Sequence, residues 1–306
     1  MITAEDVING YRYILGRDPE SPEIIEMYLR QVSTVDELRC ALLNSEEFVF
    51  KNKYIKFNKS KWVCTNVLGG LLIWVDLSDR YVSYGCLHDN YEPNETAFVR
   101  NHVRAGMNVL DIGANIGWYT LLMQQIVGKD GLVISFEPRY DIYNYLCKTI
   151  VYNNILGNVR IHNLALADEM AKMYISYHRH TDNPGGSYLS SVMSVDGDMI
   201  SVPVHTDSLD SLYPDINIDF IKVDVEGAEF LVFKGAMGLL KRCRPIIMSE
   251  IHPEQLERVS GCTPKEYINF MYKYGYSCYE IINGEAGKRL TDYNGDGNPI
   301  NVCFLP

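Results

Sequence analysis

Three short stretches of this chain set acidic residues beside glycines where a strand would give way to a helix. The first is Val109-Leu110-Asp111-Ile112-Gly113-Ala114-Asn115-Ile116-Gly117-Trp118-Tyr119. Gly113 allows a tight turn and a close backbone approach, because no Cβ stands in the way. The start of the following helix offers free N–H groups to a carboxylate or other anion. Asp111 adds a negative charge suited to a cationic amine. The stretch predicts a cradle for a ligand that carries an amine and a carboxylate together.

The second stretch, Ser135-Phe136-Glu137-Pro138, ends in an acid 26 residues after Asp111. A carboxylate at the end of a second strand can accept from both hydroxyls of a ribose. Amine, carboxylate and ribose occur together in S-adenosylmethionine, the expected cofactor. A dinucleotide fits less well. Its G-x-G-x-x-G fingerprint sets a pyrophosphate over the glycines, whereas Asp111 would repel that group and Gly113 and Gly117 have the wrong spacing. The third stretch, Lys222-Val223-Asp224-Val225-Glu226-Gly227-Ala228-Glu229, packs four charges into eight residues. Glu226 and Glu229 each read either as site residues or as acids favouring the next helix start. Asp224, at a strand tip, reads as chemistry.

These stretches need a frame to bring them together. Strand-like runs at 107–112, 132–136, 159–162, 220–223 and 246–248 alternate with helical faces such as Ile116, Tyr119, Thr120, Met123 and Ile126. Repeated strand–helix–strand predicts a doubly wound α/β fold with a mostly parallel sheet. Ligands in such sheets lie beyond the carboxyl ends of the strands, at the switch point. The expected organisation is a small all-α domain over 1–55, a linker and hairpin lead-in over 56–95, and the catalytic domain over 96–306. In the first part, Val7, Ile8, Tyr11, Ile14 and Leu15 share a helical face, Ser21-Pro22 opens a second helix, and Thr34 with Glu37 forms a capping box for a third. Ser45 to Phe50 starts a fourth element. Lys51 to Lys61 holds five lysines in eleven residues and reads as a solvated linker. Trp62 to Tyr84 suggests hairpins turning at Gly69-Gly70 and Ser78-Asp79. A long loop is expected from His178 to Asp198, placed like a lid. The segment Asp292-x-Asn294-x-Asp296-Gly297 lacks the acid that would complete a calcium loop and reads as a turn.

The 306 residues are 47% hydrophobic and 22% charged, a globular composition, and the formal net charge is −11. That acidity argues against non-specific binding to nucleic acid or to anionic membrane. The longest apolar run, Val67 to Val75, is half a membrane span, so no membrane insertion is expected. The N-terminus begins acidic and does not read as a secretory signal. Eight scattered cysteines without a C-x-x-C pair read as buried, reduced thiols in the cytoplasm.

In order and spacing, the three stretches resemble the FkbM-type methyltransferases, class I enzymes that use S-adenosylmethionine. Tyr91-Glu92-Pro93 with Glu95-Thr96, and Thr206-Asp207-Ser208-Leu209-Asp210, look like further parts of that pattern. The resemblance spans about residues 65 to 285. It implies a seven-stranded Rossmann-like sheet with one antiparallel strand. It also implies methyl transfer to oxygen, on a sugar, glycan or other secondary metabolite, with transfer to nitrogen of a peptide or small amine as the alternative. Residues 1–50 resemble a short bacterial helical domain found beside glycan-handling enzymes, an expected surface for protein contact or oligomerisation.

A hydroxyl is a weak nucleophile near neutral pH, so a base is expected. Asp224 and His252 are the candidates, with Glu226 and Glu250 beside them; His252 also reads as a structural histidine. A divalent cation on Asp224, Glu226 and Glu250 is the less favoured variant, and no metal is assigned. For the cofactor, Asp111 and Gly113 are assigned to the methionine end, Asn115, Gly117 and Tyr119 to the turn, Glu137 to the ribose and Ala165 to the adenine. Glu92 approaches the amino group by resemblance alone. A base-directed nucleic-acid methylase would end the fourth strand in Asp/Asn-Pro-Pro-aromatic, and Asp224-Val225-Glu226-Gly227 departs from that. A scaffold that kept the fold without activity is the non-enzymatic rival.

Overall fold

The computed structural model describes residues 2–43, 45, 47, 60–178, 186–293 and 295–306. The chain divides into two compact units, Met1–Lys59 and Ser60–Pro306. In the first, the helix Ala4–Gly10 runs on through a wider turn, Tyr11–Leu15, and is followed by helices Pro22–Gln31 and Val35–Leu43. Val7, Tyr11 and Leu15 are buried with Tyr28, Leu38 and Leu42, the stripe that the helical period demands. Thr34 and Glu37 exchange hydrogen bonds as a capping box. Much of Ser45–Phe50, and the basic run as far as residue 59, lie outside the described residues.

The second unit holds fourteen described strands. β1 (Trp62–Val67) and β2 (Leu71–Asp76) form an antiparallel hairpin. β3 (Asn108–Ile112), β4 (Leu132–Phe136) and β5 (Val159–His162) follow in βαβ succession. β6 (Ala165–Leu166), β7 (Ala171–His178), β8 (Tyr188–Ser190) and β9 (Met199–Asp207) come next. β10 (Phe220–Val223), β11 (Ile246–Ile251), β12 (Ser277–Ile282), β13 (Glu285–Leu290) and β14 (Ile300–Leu305) complete the set.

The main sheet has the order β13-β12-β14-β11-β10-β3-β4-β5. Its five strands β11, β10, β3, β4 and β5 are parallel, and β14 runs against β11. Chain order reverses between β3 and β10, so this pair of strands is the switch point, and their carboxyl ends are where a ligand would lie. Buried parallel strands read as apolar runs because both faces are covered. Val109, Val133, Phe220 and Met248 pack on one side under the helices Pro93–His102, Trp118–Val127 and Tyr140–Tyr152. Leu110, Ile134, Ile221 and Ile247 pack on the other.

Two local expectations change. An eighth strand, β13, extends the expected seven; its Glu-Ala-Gly-Lys-Arg-Leu sequence is too polar to read as a strand, and pairing with β12 makes it one. Ser78-Asp79 is no hairpin turn: Asp79 accepts from the backbone N–H groups of Tyr81 and Ser83 and leads into a helix, Val82–Leu87. After β10 the chain forms two helices, Glu229–Lys234 and Met237–Cys243. The long loop expected from His178 to Asp198 lies between the end of β7 and the start of β9 and holds the short strand β8, which completes a small sheet, β6-β9-β7-β8. The tip, residues 179–185, lies outside the described residues. Among the described residues no helix is long and apolar enough to cross a membrane. Cys86, Cys262, Cys278 and Cys303 are buried, whereas Cys40 and Cys64 are exposed.

Leu110 is fully buried in β3, at the middle of the main sheet. Leu110→Ala should lower the unfolding free energy by about 2–5 kcal/mol, the range for emptying a well-packed leucine site. Urea denaturation with an unchanged slope would register it.

Candidate functional site

The ends of β3 and β10 meet so closely that a Cβ on Gly113 would stand 1.9 Å from the carbonyl oxygen of Asp224. Gly113 also has φ +80°, where side chains are strained. Its freedom serves the junction between the two strands, a role that the motif alone did not distinguish from ligand approach. The N–H groups of Gly113 and Ala114 both donate to the carbonyl of Phe136 and tie the turn to β4.

A cavity of about 560 Å³ opens above this junction, lined by Gly113, Asn115, Tyr119, Glu137, Ala165, Glu92, Lys222, Asp224, Glu226, Glu250 and His252 among others. That volume lies within the range of about 300–1,000 Å³ usual for ligand sites. Ten of the twelve sequence-assigned residues thus line one cavity. Gly117 and Asp111 are not among its lining. Gly117 has φ +101° and precedes the helix Trp118–Val127, where an added Cβ would press on Leu146. Asp111 is fully buried beneath the floor. Its register partners are Ser135 on β4 and Lys222 on β10. Its Oδ2 accepts from the Thr120 hydroxyl at 2.5 Å, and Thr120 also meets Ser135 at 2.8 Å. This network holds Oδ2 under the floor, while Oδ1 is buried with no hydrogen-bond partner among the described residues.

At one end of the cavity Glu137 accepts from the N–H of Asn115 at 3.0 Å and from that of Arg139 at 2.8 Å. Each oxygen is fixed by backbone and keeps a second lone pair for a ligand. Burial pushes the carboxyl up to about 7, against the pull of those two N–H groups. Arg139 lies over the Tyr177 ring at 3.7 Å and joins this end to β7.

The other end is acidic. Glu92 accepts from the Tyr119 hydroxyl at 2.6 Å; burial and then the charge of Asp224 push it up to about 7. Burial and the neighbouring acids, Asp224 first, push Glu226 to about 8 and Glu250 to about 9. His252 Nδ1 is buried with no hydrogen-bond partner among the described residues. Glu229 separates from this group. It is 1% exposed, and its Oε1 accepts from the N–H groups of Val225 and Gly227, so it braces the turn. Glu92, Asn115 and Glu226 all have positive φ, at 42°, 49° and 53°. Such strain gathers at functional sites because the surroundings must hold it in place. Among the described residues there is no group of three or more His, Cys, Asp or Glu arranged to hold a metal ion.

Among the lining residues to which the sequence gave no role are Lys222, Arg139 and Gln255. Lys222 was overlooked as a site residue, although a lysine within Phe220-Ile221-Lys222-Val223 is the anomaly that marks it. Arg139 and Gln255 carry no signal of their own, since their spacing resembles that of any surface residue, whereas Tyr91 stands in the Tyr91-Glu92-Pro93 lead-in.

Residues 111–278 match a family model described as the methyltransferase FkbM domain. Methyltransferase sdnD of Sordaria araneosa is 28% identical over 156 residues, covering 42% of this chain and 59% of that protein. Methyltransferase 1 of Beauveria bassiana (strain ARSEF 2860) is 26% identical over 146 residues, covering 42% and 57%. The chain thus spans rather more than half the length of these curated relatives. A crystal structure of methyltransferase FkbM from Methylobacillus flagellatus KT aligns with a TM-score of 0.42 at 15% identity, covering 69% of this chain and 50% of that one.

The raised acids link stability to pH. The folded chain keeps a proton on Glu250 up to about 9, whereas an unfolded chain releases it near the ordinary 4.5. Stability from this source is therefore present below about 4.5 and falls as pH rises to about 9. Glu250→Gln should melt close to the unaltered protein at about pH 5 and at a higher temperature at about pH 9, read by calorimetric scans.

Proposed function

The chain belongs to the FkbM methyltransferase family, and on that footing we propose that it moves a methyl group from S-adenosylmethionine to a hydroxyl of a neutral small-molecule or glycan acceptor. The observation that carries this reading is the single cavity over the switch point, with a backbone-fixed carboxylate at one end and a charged, partly protonated cluster at the other. The residues present fit the cofactor. Glu137 would hold the ribose hydroxyls, Ala165 would face the adenine, and Asn115 with the turn after Gly113 would take the methionine portion. Glu92 stands at the acidic end, where an amine or a sulfonium finds a compensating charge.

The bound cofactor supplies an electrophilic methyl group, so the protein's task is alignment, exclusion of water and removal of one proton. Asp224, at the strand tip, and His252, whose Nδ1 lacks a partner among the described residues, are positioned to accept that proton from the acceptor hydroxyl. Five acidic side chains line the cavity, Glu92, Glu137, Asp224 and the proton-retaining Glu226 and Glu250, against the cations Lys222 and Arg139. With the chain's net charge of −11, this disfavours a polyanion such as nucleic acid as the acceptor.

Calorimetry with S-adenosylmethionine should show one site per chain. Glu137→Gln should weaken that binding about ten- to a hundredfold, as expected for losing hydrogen bonds to a charged group. Asp224→Asn should bind the cofactor yet transfer labelled methyl to a panel of hydroxylated glycans about 10²- to 10⁴-fold more slowly. Absence of cofactor binding by the unaltered chain would sink the assignment, and normal turnover in Asp224→Asn would remove Asp224 as the base.

A further inference from the structure

Lys222 is the third residue of β10, and only 5% of it is exposed. It lies between Asp111 of β3 and Met248 of β11 in register. An ammonium group there costs several kcal/mol in lost hydration unless it is well paired. A methionine, as at 248, would fill similar space without that cost. The surroundings show what the charge is matched to. Nζ donates to the Gly113 carbonyl at 3.0 Å and lies 3.6 Å from Asp224 Oδ2. It also sits 5.4 Å from the centre of the Tyr119 ring, whose hydroxyl donates to Glu92. Burial favours the neutral amine, but the charges of Asp224, Asp111 and Glu92 outweigh it and leave the ammonium reinforced. In return Lys222 opposes the upward push of burial on Glu92 and on Asp111.

We propose that Lys222 is a positioning residue for methyl transfer: its ammonium is the counter-charge that lets Glu92 and Asp224 face the cavity together, and it anchors the Gly113 carbonyl that shapes the floor. The groups around it are Asp111 from β3, Tyr119 from the following helix, Glu92 with Tyr91 from the lead-in, and Asp224 from the end of its own strand. Glu226 and Glu250 complete the acidic end. The reading rests on the methyl-transfer assignment, but its test needs neither cofactor nor acceptor.

The test is a carboxyl ¹³C NMR titration of the full ligand-free chain with labelled glutamate, the Glu92 signal being assigned by its loss in Glu92→Gln. The unaltered protein should titrate Glu92 at about 7. Lys222→Met should raise that midpoint by about one pH unit or more, a roughly tenfold change in proton affinity. Lys222→Arg, which keeps the charge, should leave it nearly in place. A midpoint unmoved in Lys222→Met, or moved equally by Lys222→Arg, would overturn the proposal. If Lys222→Met loses its cooperative melt, the double change Lys222→Met with Asp111→Asn should restore it, because both buried charges are then gone. Failure to restore it would count equally against the counter-charge role. A chain that shows the titration result yet binds no S-adenosylmethionine would overturn the methyl-transfer reading while leaving Lys222 its electrostatic part.

Discussion

Two opposite charges lie side by side in the middle of the main sheet, Asp111 on β3 and Lys222 on β10. Neither reaches water to any useful extent. A buried pair of this kind seldom adds net stability over an apolar pair of the same volume, yet breaking it is expensive, since one charge is then stranded. The sheet is therefore committed to one register between its first and fourth parallel strands. A slip of one residue would set Asp111 beside an isoleucine or a valine and place Lys222 in an apolar layer. The constraint falls at the strand pair where the chain order reverses, the place from which a ligand site must be built.

The consequences run outward from that pair. With the two strand ends locked in step, the Asp224 carbonyl fills the space where a Cβ on residue 113 would be. The turn then passes beneath the cavity with its carbonyl directed at Lys222. Thr120 and Ser135 complete the polar row on the Asp111 side, so the helix after Gly117 is tied to the same register. Lys222 is thereby shared between the inner acid, Asp111, and the outer acids, Asp224 and Glu92. Its charge is divided among more carboxylates than it can neutralise. Burial first, and after it the repulsion of Asp224 and the neighbouring acids, leaves protons on Glu226 and Glu250, whose carboxyls rise to about 8 and about 9. Such a cluster can bind or release a proton near neutral pH without a change of fold.

Much of this was legible in the sequence, and the physical reasons divide the successes from the misses. Strand and helix placement followed from period, because each parallel strand is apolar on both faces and each crossover helix shows one stripe. Glu137 and Asp224 were legible because a strand tip in a doubly wound sheet has a fixed destination. The same logic marked Asp111, whose Oδ2 is held by Thr120 and whose register partner is Lys222. A motif records that an acid is required there, and it does not record whether the acid meets ligand or protein. Gly113 hid its purpose in the same way. The small sheet β6-β9-β7-β8 escaped notice because Ser-, Gly- and Pro-rich segments interrupt its strands, so pairing rather than alternation defines it. Lys222 was plainly visible as an anomaly, but its meaning depends on Asp111 being its neighbour across two strands 111 residues apart in the chain.

The two ends of the cavity are built by different means, and that difference bears on which of them could vary without disturbing the fold. At the Glu137 end the ligand-facing group is held by main-chain N–H donors, and the turn after Gly113 is held to β4 by main-chain bonds. Few side-chain substitutions can alter that geometry without breaking the sheet. At the acidic end Glu226, Glu250 and His252 are side chains placed on strand ends, interacting chiefly through charge, and His252 keeps a nitrogen unpartnered among the described residues. A substitution there changes charge, shape and proton affinity while the strands beneath stay paired. A fold divided in this way keeps one cofactor geometry and lets acceptor choice vary. On the proposed reading, acceptor choice would be set at the ends of β10 and β11 and in the segment that follows β11.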